Sequence, residues 1–223
     1  VEVAFGALRI LHAIAEQPLG YAALVQAGAL PQLVALLKAS YSPADLNSRD
    51  VLSAVLAAAD SAGGDERQRV ADAIVKLDAV PTLEAQIRDD PLLQRPATSG
   101  CCTLLTHLAR TDAGRRTLKA LVDARAVSAV RTVVSTSHAR AAAIGCGLIA
   151  ALGRWLETMG GRPATEREAT LGLVSDLAAA RDVSTETHIL PLVPRLVALL
   201  RAVAEGGAAR DASAVAAMRL ISS

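Results

Sequence analysis

The chain has 223 residues, 52% apolar and 20% charged, a balance that excludes a disordered polymer and supports a continuous core. Its 23 Lys and Arg against 22 Asp and Glu leave a net charge of +1, too even for a general grip on nucleic acid or a membrane surface. Phe5, Tyr21, Tyr41 and Trp155 are its only aromatics while Ala and Leu dominate, which favours an all-α fold.

Phe5, Leu8, Leu11 and Ile14 fall at three-residue steps and predict an amphipathic helix over 3–15, broken by Pro18-Leu19-Gly20. A short helix over 21–26 leads to Gly28, a residue suited to a left-handed turn. Pro31 then sits in the first turn of a helix whose buried stripe is Leu30, Leu33, Leu36 and Leu37. A loop over 40–47 precedes a longer helix over about 48–59. This order of short, medium and long helix recurs. Residues 75–83 align without gaps on 25–33, and residues 122–130 align again with Ser128 in place of the proline. The closest copy of 30–39 is 193–202, and the steps between copies are 50, 47 and 66 residues. The last step holds an added segment, 160–180, where Gly160-Gly161-Arg162-Pro163 ends one helix and Thr165 with Glu168 predicts a capping-box start. The expected units are 1–17 (partial), 18–62, 63–111, 112–159 and 160–223, one array that belongs to a longer protein.

Residues that could carry chemistry are scattered. Cys101, Cys102 and Cys146 lie in apolar runs and read as buried free thiols of a reducing compartment, without the spacing of a metal site. His12, His107, His138 and His188 fall on different units, with no nucleophile or paired carboxylate at activating distance. Gly145-Cys146-Gly147 is read as part of a helix, not a phosphate loop, and Asp89-Asp90 and Asp182 as turn and boundary residues. The most apolar run, 141–153, is too short to cross a bilayer and predicts one buried helix. Arg115, Arg116, Lys119, Arg125 and Arg131 are broken by acids and read as a solvated face, and Trp155 as core. The two LxxLL runs, 33–37 and 196–200, read as core positions of the repeat. No catalytic residue, cofactor or metal is expected, and the partners expected are proteins, without nucleic acid or membrane.

Residues 22–37, with Ala-Gly-Ala-Leu-Pro-Gln-Leu-Val-Ala-Leu-Leu at their centre, and residues 6–15 resemble the two halves of an armadillo repeat. The resemblance covers essentially the whole chain and implies a right-handed α-solenoid of about four to five three-helix repeats. In armadillo arrays the third helices line a concave groove, and members that bind extended peptides carry a Trp and Asn ladder there. Registering that ladder here gives Arg9, Ser53, Thr103 and Ala150 for Trp, and Ala13, Ala57, His107 and Arg154 for Asn. Neither ladder residue is present, which disfavours reading of basic peptides. Arg9, Ser53, Thr103, His107 and Arg154 are therefore the candidate protein-binding positions, facing a neutral or acidic partner. The resemblance implies a non-catalytic scaffold in a larger cytoplasmic assembly, with a cilium or the cytoskeleton as the narrower expectation. The alternative is a regulatory module similar to the armadillo nucleotide-exchange factors of Hsp70, or another chaperone adaptor.

Overall fold

A computed structural model of the chain describes residues 2–17, 19–39, 44–90, 93, 95–180 and 188–198. They are helices and turns, with no strand among the described residues. The chain divides into two compact units, Val1–Thr117 and Leu118–Ser223.

The first unit contains α1 (Glu2–Ala15), α2 (Gly20–Gln26), α3 (Ala29–Lys38), α4 (Ala44–Ala62), α5 (Gly64–Lys76), α6 (Ala79–Arg88) and α7 (Pro96–Leu108). It ends within α8 (Asp112–Asp123). Helices α2 and α3 are bent by 83° where Gly28 takes φ 71°. The residues aligned with Gly28 in the next two copies are Asp78 and Arg125, and they too are left-handed, at φ 58° and 56°. A side chain costs about 1–2 kcal/mol in that conformation, so the turn is imposed by packing of the flanking helices rather than by glycine alone. Leu33 and Leu37 on α3, Leu83 and Ile87 on α6, and Leu52, Val55, Leu56 and Ala59 on α4 are fully buried. Each such leucine contributes about 2 kcal/mol through area removed from water. The long helices lie side by side: α4 packs between α1 and α7 while resting on α3 and α5.

Two glycines let third helices turn tightly into the next short helix. A Cβ on Gly20 would lie 1.6 Å from the Ile14 carbonyl oxygen, and one on Gly114 would lie 2.0 Å from that of Leu108. The expected loop over 40–47 is shorter than the sequence indicates, because α4 already begins at Ala44, and it runs on to Ala62. On α3 Val34 is buried and Leu36 only half-buried, and on α1 Ile14 is 38% exposed instead of completing the apolar stripe.

The second unit holds the rest of α8, then α9 (Val127–Val133), α10 (Ser137–Gly145), α11 (Leu148–Glu157), α12 (Ala164–Ala179) and helical turns over 188–198. The single helix expected over 141–153 is absent. Gly147 takes φ 88° and divides the run into α10 and α11, bent by 74°. That bend is like the one between α2 and α3, and the longer α12 follows. The expected added segment, 160–180, carries α12. Helix α12 packs on both α9 and α11. Pro163, not Thr165, is its N-cap, and no side chain caps it. Asp182 and positions 199–202 of the last repeat copy lie outside the described residues.

Arginines stitch this unit together across glycines. Arg131 pairs with Asp176 at 2.6 Å, crossing α12 where a Cβ on Gly172 would meet its Nη1 at 2.4 Å. Arg195 pairs with Glu157 at 2.8 Å over Gly153 in the same manner. Arg125 reaches Glu166 at 2.5 Å, donates to Thr158 Oγ1 at 2.7 Å and stacks 5.8 Å above the ring centre of Trp155. Trp155 is 5% exposed and belongs to the core.

Candidate functional site

Three third helices of the first unit carry four of the five candidate positions. Arg9 on α1 and Thr103 on α7 are exposed, and Ser53 on α4 and His107 on α7 are half-buried. Ala13 and Ala57 are exposed as well. Because α1, α4 and α7 are packed neighbours, these positions lie on adjacent helices. Their side chains are short or flexible, which leaves the ridge without the aromatic ladder found where armadillo members grip peptides. The hydroxyl of Ser53 is buried and has no hydrogen-bond partner among the described residues.

Arg154 belongs elsewhere. It is exposed on α11, in the second unit. The same holds for Ala150, and the cause is the break at Gly147. Counting along an apolar run cannot detect a left-handed residue inside it.

Beneath the ridge lies a set of buried cations that the sequence did not single out. Arg49 on α4 is 2% exposed; its Nε donates to the Cys101 sulfur at 3.0 Å and one Nη to Gln86 Oε1. Gln86 in turn donates to the Leu37 carbonyl at 3.3 Å, so four elements (α3, α4, α6 and α7) share one network. Gly100 leaves room for it, since a Cβ there would come within 3.3 Å of Arg49 Cδ. Arg67 on α5, also 2% exposed, donates to the His107 carbonyl at 2.8 Å and lies 3.5 Å from Asp60, which Arg110 also approaches. Burial and then the neighbouring Arg110 lower the Arg67 guanidinium from its usual range, while Asp60 opposes them. A cation at the last turn of α7 also suits the negative end of the helix dipole. The Arg67 bond ties the His107 carbonyl to α5. The only sequence signal was arginine within an apolar helical stripe.

The remaining chemistry-bearing residues do not converge. Cys101 and Cys102 are fully buried and Cys146 is half-buried, so the third thiol departs from the expectation of burial. Burial, then the neighbouring Cys101 and Asp90, push the Cys102 thiol up to about 12. His12, His107 and His138 lie on α1, α7 and α10, and His188 on the last helical turns. Asp90 is a boundary residue, accepting from the Arg95 amide at 2.7 Å and the Thr98 hydroxyl at 2.8 Å at the start of α7. No group of three or more His, Cys, Asp or Glu able to hold a metal ion occurs among the described residues. Four cations of the basic stretch are paired: Arg115 with Asp112, Lys119 with Asp123, Arg125 with Glu166 and Arg131 with Asp176. No single described helix is long and apolar enough to cross a membrane.

No family model matches the sequence, and no curated protein matches it. Among solved structures, the crystal structure of an engineered protein superposes with a TM-score of 0.51 at 18% identity, over 97% of this chain and 90% of that one. Two designed armadillo repeat proteins align at TM-scores of 0.49 and 0.48, each at 18% identity. They cover 96% of this chain and 91% and 92% of theirs, and the first was solved with the peptide (KR)4. The likeness is one of fold: the chain is an armadillo-like α-solenoid, built of triplets that turn at left-handed residues.

Proposed function

We propose that the chain is a non-catalytic scaffold that binds a protein partner within a larger assembly. The observation that carries this reading is the ridge of α1, α4 and α7, where Arg9, Ala13, Ala57 and Thr103 are exposed and Ser53 and His107 half-buried above a packed core. A solenoid presents such rows on consecutive repeats, and an extended partner segment can lie along them. Arg9 and His107 favour a neutral or acidic segment, in contrast to the basic peptide in the designed relative. Burial of Cys101 and Cys102 without a disulfide among the described residues suits a reducing compartment such as the cytoplasm.

The test is a pair of variants in a native-extract pull-down. Thr103→Glu and Arg9→Glu reverse or block the ridge while leaving circular dichroism melts within about 2 °C of the parent, as exposed substitutions do. Loss of the same co-purifying protein in both variants supports the ridge; retention in both removes it.

A further inference from the structure

Glu16, Asp60 and Arg110 each follow a ladder position (Ala13, Ala57 and His107) by three residues, and so stand about one turn further along α1, α4 and α7. The sign of the charge changes along this row. Glu16 lies 3.9 Å from His12 of its own helix. Asp60 instead meets two guanidiniums: Arg110 donates to its Oδ1 at 3.4 Å, and Arg67 Nη1 lies 3.5 Å away.

The two arginines differ in freedom. Arg67 is buried and donates to the His107 carbonyl, so it belongs to the core. The Arg110 side chain is 46% exposed, and the long bond to Asp60 is the only one its guanidinium makes among the described residues. A guanidinium carries five N–H donors in a planar fork that fits a carboxylate, and most of those on Arg110 are left to solvent. No second acid comes from the neighbouring turn, because Asp112 is paired with Arg115, which itself donates to the Arg110 carbonyl at 2.8 Å. The like charge of Arg110 adds to burial in lowering the Arg67 guanidinium, and Asp60 alone opposes them. Two guanidiniums against one carboxylate leave one positive charge in excess. Thr103, His107 and Arg110 are spaced i, i+4 and i+7, the spacing of one helical face, with Thr103 exposed and His107 half-buried.

We propose that Arg110 anchors the partner on the ridge by taking an Asp or Glu carboxylate of the bound segment, which then runs past His107 and Thr103. Asp60 is the internal carboxylate that holds the guanidinium in place while the ridge is empty. The inference rests on the ridge reading and adds to it the contact that selects an acidic segment. An excess of one charge suits a carboxylate monoanion rather than a phosphate, which carries about two. About ten extended residues span roughly 30 Å, enough to cross three helices packed about 10 Å apart.

The probe is an N-acetylated peptide of about ten residues alternating Glu with Ser, labelled at its C-terminus, beside its Gln–Ser counterpart. Fluorescence anisotropy at low salt follows their titration with the 223-residue chain. The Glu peptide binds about tenfold or more tightly than the Gln peptide. Arg110→Gln weakens the Glu peptide by about tenfold. Arg154→Gln, the same charge change on α11 of the second unit, weakens it by less than about twofold, and both variants melt within about 2 °C of the parent. No binding of the Glu peptide, equal binding of the two peptides, or equal losses in the two variants would each overturn the assignment. Arg9→Glu and Thr103→Glu separate it from the reading beneath it. If they release the partner in the pull-down while Arg110→Gln holds the Glu peptide as before, the ridge stands and the Arg110 anchor falls.

Discussion

Gly114→Ala and Gly145→Ala make the same chemical change in two helices and should move stability in opposite directions. A Cβ at Gly114 would stand 2.0 Å from the Leu108 carbonyl oxygen and 2.6 Å from its carbon, so the α7–α8 turn must open by roughly 1 Å. That carbonyl cannot swing aside freely. It accepts from the Thr111 amide at 2.9 Å and the Thr111 hydroxyl at 2.8 Å, and the same hydroxyl accepts from the Gly114 amide at 3.0 Å. Thr111 is 4% exposed, so bonds broken there are not replaced by water. Two lost bonds at about 1 kcal/mol each and an overpacking cost of about 1–3 kcal/mol outweigh the helix-propensity gain of about 1 kcal/mol. The net loss is about 2–4 kcal/mol. At Gly145, exposed in α10 with nothing within 4 Å of an added Cβ, the gain stands alone at about 0.5–1 kcal/mol. Urea titration followed by circular dichroism measures both. A Gly114→Ala protein as stable as the parent would refute the close-approach reasoning.

Leu33, 1% exposed, gives a harsher case: Leu33→Asp strands a carboxylate between stacked helices and costs about 4 kcal/mol or more, whereas exposed Arg154→Ala changes stability by less than about 0.5 kcal/mol. Equal losses in their melts would contradict the burial pattern. Arg125→Ala removes the partner of the half-buried Glu166 and the cation over Trp155, an expected loss of about 2–4 kcal/mol in thermal unfolding; a loss below about 1 kcal/mol would show the staple to be idle. Iodoacetamide at pH 8 should label Cys146 in the folded chain, and Cys101 and Cys102 only after denaturation, as mass spectrometry would reveal. Because the folded Cys102 thiol is raised to about 12 from 9.0, its stabilising term is complete below pH 9. It is lost as pH rises toward 12, at up to about 1.4 kcal/mol per pH unit. A Cys102→Ala variant with the same alkaline slope as the parent would exclude this cause.

What the sequence determined by itself was local. Helix periodicity placed α1, α2 and α3 closely, and Gly28 marked a left-handed turn, whereas the left-handed Asp78 and Arg125 at the aligned positions emerged only in the structure. Leu30, Leu33 and Leu37 were legible as core because burial on a helix follows spacing. Only the tertiary structure divided 141–153 at Gly147, since a φ sign is not written in hydrophobicity. Only it put Arg49 and Arg67 inside and paired most of the basic stretch. The same limit explains Ile10 and Ile14: an apolar stripe reads identically whether or not another helix lies against it, and burial is a property of the neighbour.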